Sequence, residues 1–151
     1  MCVNCARNGT EVARIFWDTN LFIYLVEGPD ARSERLRAMR RSMRDRGDEL
    51  LTSTLTLGEL LVRPKSAGDE EMAGRYASLL QAAATLLPFD SRTAMEFAGI
   101  RARRNVKVPD AIQLACAARA GVDLFVTNDE RLSRLVVPGI QFIVPLDRAF
   151  I

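Results

Sequence analysis

Five short apolar runs alternate with longer stretches of helical pattern, and that alternation constrains the fold more than any other feature of the chain. The runs are residues 12–17, 49–52, 86–89, 124–126 and 141–144. Short buried strands separated by helices imply an α/β fold, with a mostly parallel sheet covered on both faces. Helical patterning fills the intervals at 20–27, 31–46, 55–62, 69–85, 91–104, 110–120 and 129–135. Gly28-Pro29, Gly47 and Arg63-Pro64 close the first three helices. Asp90 or Ser91 caps the fifth, and Pro109 and Gly121 bracket the sixth. Nothing in the composition divides residues 12–151, which read as one domain, while 1–11 read as a loose polar extension.

In an open parallel sheet, ligands bind beyond the carboxyl ends of the strands. Asp18 ends the first run and Asp129 lies just past the fourth. If those strands are neighbours, the two carboxylates meet. Asp110 falls in the first turn of its helix, and Glu59 lies off the stripe of Leu57, Leu60 and Leu61. Singly, each acid has an ordinary explanation. Asp18 and Asp129 suit helix caps, Asp110 suits the helix dipole, and Glu59 suits an exposed helix face. Together they suggest a cation site, because converging carboxylates raise one another's pKa unless a cation stands between them. Oxygen ligands select a hard ion such as Mg²⁺ or Mn²⁺.

The chain has no histidine. That excludes a Ser-His-Asp triad, a Cys-His pair and histidine-held zinc or iron. Neither a phosphate-cradling Gly-x-x-x-x-Gly-Lys loop nor a Gly-x-Gly-x-x-Gly fingerprint is present. Metal-assisted hydrolysis is the reaction class left. Net charge is only +2, but the basic residues are clustered. Seven arginines fall between 31 and 46, and Arg101, Arg103, Arg104 and Lys107 precede Asp110. Either run alone reads as a solvated helix face; beside a phosphodiester-cleaving site both would guide a polyanion. No stretch has the length of a membrane span, and no apolar leader marks the N-terminus. Cys2 and Cys5 form a lone Cys-x-x-Cys without the second pair a zinc site needs. Cys116 reads as core packing. The expectation is a cytoplasmic protein.

Four segments carry a family likeness: Phe16 to Tyr24 around Asp18-Thr19-Asn20, Thr52-Ser53-Thr54 through Glu59-Leu60, Val108 to Ala115 around Pro109-Asp110-Ala111, and Phe125 to Asp129. In this order and spacing the chain resembles the PIN-domain ribonucleases, specifically VapC-type toxins of toxin–antitoxin pairs. The resemblance implies a three-layer fold with a parallel five-stranded sheet of order 3-2-1-4-5. It implies Asp18, Glu59, Asp110 and Asp129 as the catalytic, metal-binding set for Mg²⁺ or Mn²⁺; on our reading Asp18 and Asp110 hold the principal ion, and Asp129 is a third metal ligand. Asn20 and Thr127 would support that set, and Arg101, Arg103, Arg104 and Lys107 would bind RNA. It further implies an RNA substrate, a cognate antitoxin and a homodimer, for which Leu36, Met39 and Met43 offer apolar positions on an arginine-crowded helix. The chain departs from the family pattern in Gly58 before Glu59 and in the seventeen residues ahead of Asp18. The alternatives are a PIN-fold module that binds RNA or a partner with weak or no cleavage, and a partner-binding α/β protein whose acids only cap helices.

Overall fold

A parallel sheet with its first strand at the centre organises the molecule. The computed structural model describes residues 12–149. The expected extension and the Cys2–Cys5 pair lie outside the described residues. In chain order the elements are β1 (Arg14–Trp17), α1 (Thr19–Glu27), α2 (Ala31–Arg46), β2 (Glu49–Ser53), α3 (Thr54–Ser66), α4 (Glu70–Ala83), β3 (Thr85–Leu87), α5 (Ser91–Arg103), α6 (Val108–Ala120), β4 (Leu124–Thr127), α7 (Glu130–Ser133) and β5 (Phe142–Pro145). The strand order is β3-β2-β1-β4-β5, and every pairing is parallel. Ile15 pairs with Leu50 on one side and Leu124 on the other, so β1 and β4 are neighbours.

Because side chains alternate across a strand, the sheet divides its apolar residues between two cores. Phe16, Leu51 and Phe125 face α5 and α6, with Leu114 and Ile100 among their neighbours. Ile15, Trp17, Leu50 and Val126 face the other way, with Leu21, Leu36, Met43 and Leu80. Phe16 and Phe125 are register partners and stack 5.0 Å apart at 7°. Such a contact is worth about 0.5–1.5 kcal/mol beyond burial. The result is the expected three-layer α/β arrangement. No helix among the described residues is long and apolar enough to cross a membrane.

Several local expectations shift. Pro64 does not end α3, which runs on to Ser66. Proline removes the amide that would bond to the carbonyl of Leu60, but its ring is buried and the Ala67 amide still reaches Arg63 O at 3.1 Å. Strand β3 starts one residue early and is only three residues long. Leu36, Met39 and Met43 are buried inside the protomer, so they offer no dimer surface. Most of the α2 arginines are engaged as well. Arg35 donates to the carbonyls of Leu146 and Asp147, Arg40 to Ala83 O, and Arg46 to Asp48, while Arg32 lies 4.1 Å over the Tyr24 ring.

Candidate metal centre

Strand β1 ends by presenting Asp18 at the carboxyl edge of the sheet. The Asp18 amide donates to Val126 O of β4 at 3.0 Å, which fixes the backbone as it leaves the strand. Its side chain then caps α1: Oδ1 accepts from the Thr19 amide at 2.8 Å. Oδ2 accepts from Thr127 Oγ1 at 2.9 Å. The residue is only 5% exposed. Burial pushes its pKa up to about 6; the two hydrogen bonds oppose the shift, and Asp110 and Glu59 add to it. Among the described residues no basic side chain forms an ion pair with Asp18, Glu59 or Asp110.

Asp110 lies in the first turn of α6 and is half-buried. Burial raises its pKa and the Asp129 carboxylate raises it further, while Arg131 and Lys107 oppose. Glu59 is partly buried on α3 rather than fully exposed. Asp129 caps α7, but its carboxylate turns to Arg131. That hydrogen-bonded pair holds the Asp129 pKa below the usual range. The four predicted acids therefore form an electrostatic row: Glu59 and Asp110 act on Asp18, and Asp129 acts on Asp110. Thr127 joins the two ends of β1 and β4 directly, donating to Asp18 and accepting from the Asp129 amide at 3.0 Å. Asn20 is exposed on the first turn of α1.

The basic set divides in two. Arg101 donates to Val106 O at 2.6 Å and Arg104 to Val136 O at 2.7 Å, so both brace loops. Arg103 and Lys107 are exposed, and Lys107 is near enough to Asp110 to lower its pKa.

Beneath Asp18 lies a buried polar network that the sequence reading did not assign. Gln113 Nε2 donates to the hydroxyls of Thr19 and Thr56, and its Oε1 accepts from Ser53 Oγ at 2.6 Å. Thr52 Oγ1 reaches Trp17 O at 2.9 Å and Thr56 Oγ1 at 2.8 Å. The network joins β1, β2, α1, α3 and α6 under the row of acids. A lone Gln in an alanine-rich helix, and three hydroxyl residues closing an apolar strand, were the signals available for it.

The donor set fits a hard divalent ion that keeps much of its water. Among the described residues no three acidic or sulfur side chains stand close enough to cage an ion. Mg²⁺ is ordinarily held by one or two carboxylates, with waters and substrate phosphates completing its octahedron. Asp18 and Asp110 are the two carboxylates that would serve, and Asp18 is buried with no ion-pair partner among the described residues.

A family model of the PIN domain matches residues 15–137, which include all four acids. The chain belongs to the PIN domain family. Solved structures share the PIN fold. VapBC2 from Rickettsia felis, bound to a DNA fragment from its promoter, matches with a TM-score of 0.66 at 14% identity, covering 87% of this chain and 98% of that one. DNA-bound VapBC from Salmonella typhimurium matches at 0.67 and 22%, covering 89% and 99%. A toxin–antitoxin complex from Klebsiella pneumoniae matches at 0.62 and 21%, covering 83% and 94%. At these identities the likeness is one of fold. Among curated proteins no sequence matches.

Proposed function

We propose that this PIN domain is an Mg²⁺- or Mn²⁺-dependent endoribonuclease and the toxin of a toxin–antitoxin pair. The observation that carries the reading is Asp18: a buried carboxylate at the carboxyl edge of the sheet, facing two more acids and paired with no base. Asp18 and Asp110 are the residues to hold the ion, with Glu59 and Asp129 orienting water or ligating from the flanks. When bound, the ion supplies positive charge to the phosphoryl oxygens and eases deprotonation of the attacking water. Thr127 and the Thr19 amide hold the Asp18 carboxylate in one orientation. The Gln113 network stiffens the floor on which Asp18 stands. Lys107 and Arg103 are the exposed cations for the RNA backbone, with Arg101 and Arg104 shaping the loops between them. The working place is the cytoplasm, and the partners are RNA, a cognate antitoxin and a second copy of the chain. Two of the matched structures are described as VapBC and one as a toxin–antitoxin complex, which supports the antitoxin part of this reading.

The Asp129–Arg131 pair favours one alternative, a PIN-fold binding module with weak cleavage. Incubating the purified chain with RNA in Mg²⁺, Mn²⁺ or EDTA separates the two. The nuclease reading expects 5′-phosphate and 3′-hydroxyl ends with the metal and intact RNA with EDTA. Equal cutting in EDTA would overturn the metal dependence, and no cutting under any condition would leave the module.

A further inference from the structure

We propose that Arg131 is a resident cation that holds Asp129 off the metal, so that Asp129 reaches the ion only after the guanidinium swings out. The inference rests on the metal-centre reading above and concerns what governs its loading.

The geometry is specific. Arg131 Nη2 lies 2.8 Å from Asp129 Oδ2, and Nε lies 3.2 Å from Oδ1. The Arg131 amide also donates to Oδ1 at 2.8 Å. Both oxygens of Asp129 are thus occupied by one residue two positions along the chain. A planar guanidinium matches a carboxylate in this fork. A cation approaching these oxygens would also meet the like charge of the guanidinium, which opposes its binding.

Two further observations agree. No three acids form a cage among the described residues, and Asp129 is the acid of the row drawn to a base. The Arg131 side chain is 73% exposed against 24% for Asp129. The guanidinium therefore has solvent to move into and loses little on leaving, since exposed ion pairs are weak. Asp18 has no such stand-in: its carboxylate accepts from neutral donors only.

The test measures Mn²⁺ binding to the full chain by electron paramagnetic resonance, without RNA. The variants are Arg131→Gln, Arg131→Lys, Asp129→Asn and the double Asp129→Asn/Arg131→Gln. Arg131→Gln should bind Mn²⁺ about fivefold more tightly than the wild type, the scale of one exposed ion pair. Arg131→Lys keeps the charge without the fork and should fall between. On the Asp129→Asn background the Gln substitution should change affinity less than about twofold, since the partner is already gone. Unchanged affinity in Arg131→Gln overturns the inference. So does a gain that persists undiminished on the Asp129→Asn background. A role confined to holding α7 would lower the melting temperature of Arg131→Gln and leave Mn²⁺ affinity alone. Absence of Mn²⁺ binding to every variant would overturn the metal centre itself, and this inference with it.

Discussion

Asp18 and Asp129 lie just past the ends of neighbouring strands, yet they have opposite chemistry. Each follows its strand at the same edge of the sheet, each caps the next helix, and both touch the hydroxyl of Thr127. Asp18 is walled in, with neutral donors around it and a pKa pushed up to about 6. Asp129 lies at the rim, clasped by Arg131, with its pKa held down. Topology brings a carboxylate to the edge, whereas burial and the nearest base decide what it can do there. The Asp18 side is a buried carboxylate without a base beside it, and the Asp129 side is one already paired with Arg131.

The sharpest way to break this contrast is by activity. Asp18→Asn and Asp110→Asn should each lower RNA cleavage more than about 100-fold, beyond the loss seen when a ligand's hydrogen-bond partner is removed. Asp129→Asn should cost about tenfold. Gel assays in Mg²⁺, with melting curves to confirm folding, decide it. Should Asp129→Asn be as damaging as Asp18→Asn, the two sides are equivalent and the contrast fails.

The next effect is the stability of the metal-free protein against pH. A carboxylate whose folded pKa is raised stabilises fully below its unfolded value of about 3.8, and that stabilisation is lost as pH rises through about 6. In EDTA at pH 8, Asp18→Asn should therefore exceed the wild type by about 2–3 kcal/mol, with the gap closing toward pH 4. Asp129 has the opposite sign: its contribution is present above the ordinary carboxylate pKa and is lost as pH falls through the lower folded value. Urea unfolding at pH 8 and pH 4 reads the first, and further points below the ordinary carboxylate pKa of about 3.8 read the second. A constant gap between Asp18→Asn and wild type would show that Asp18 bears no uncompensated charge.

Smaller again is the difference in the support beneath each acid. Gln113→Ala removes the acceptor of the Ser53 hydroxyl and the amide that donates to Thr19 and Thr56, and should destabilise by about 2 kcal/mol. Arg131→Ala, on the exposed side, should cost clearly less than Gln113→Ala. Comparable losses in urea unfolding would erase the distinction between a built floor and a loose rim.

The smallest effects concern the basic residues. Arg103→Ala or Lys107→Ala should each reduce the salt slope of RNA binding by about one. Arg101→Ala and Arg104→Ala should instead cost about 1 kcal/mol of stability each, because they brace Val106 O and Val136 O. Fluorescence anisotropy across salt concentrations, beside urea melts, assigns each residue to one group.

The layered fold was legible because short apolar strands and helical stripes have different periods, and because Asp18 and Asp129 each end an apolar run. Their adjacency needed only β1 and β4 to pair. The Gln113 network was not legible. Gln113 has no sequence mark of facing inward, since the hydroxyls that satisfy it come from α1, β2 and α3. The α2 arginines misled for the opposite reason. Arginine density suggests a polyanion, but long side chains lie along the surface and reach carbonyls, so Arg35 and Arg40 serve the fold. Leu36, Met39 and Met43 looked like a contact surface because sequence alone cannot show which face of a helix meets its own sheet. Pro64 failed as a stop because the last turn closes around it.

The pairing of β1 directly with β4 carries a consequence for birth on the ribosome. Ile15 and Leu124 are register partners, separated by most of the chain. Contacts between such distant segments form late, after the intervening loop has closed. While translation proceeds, β1 can find β2 early, yet Thr127 and Asp129 do not exist until β4 is made. Until then the nascent polypeptide carries Asp18 without the hydroxyl that orients it. The row of acids is therefore assembled by the pairing of two strands made far apart in time, and not by either strand alone.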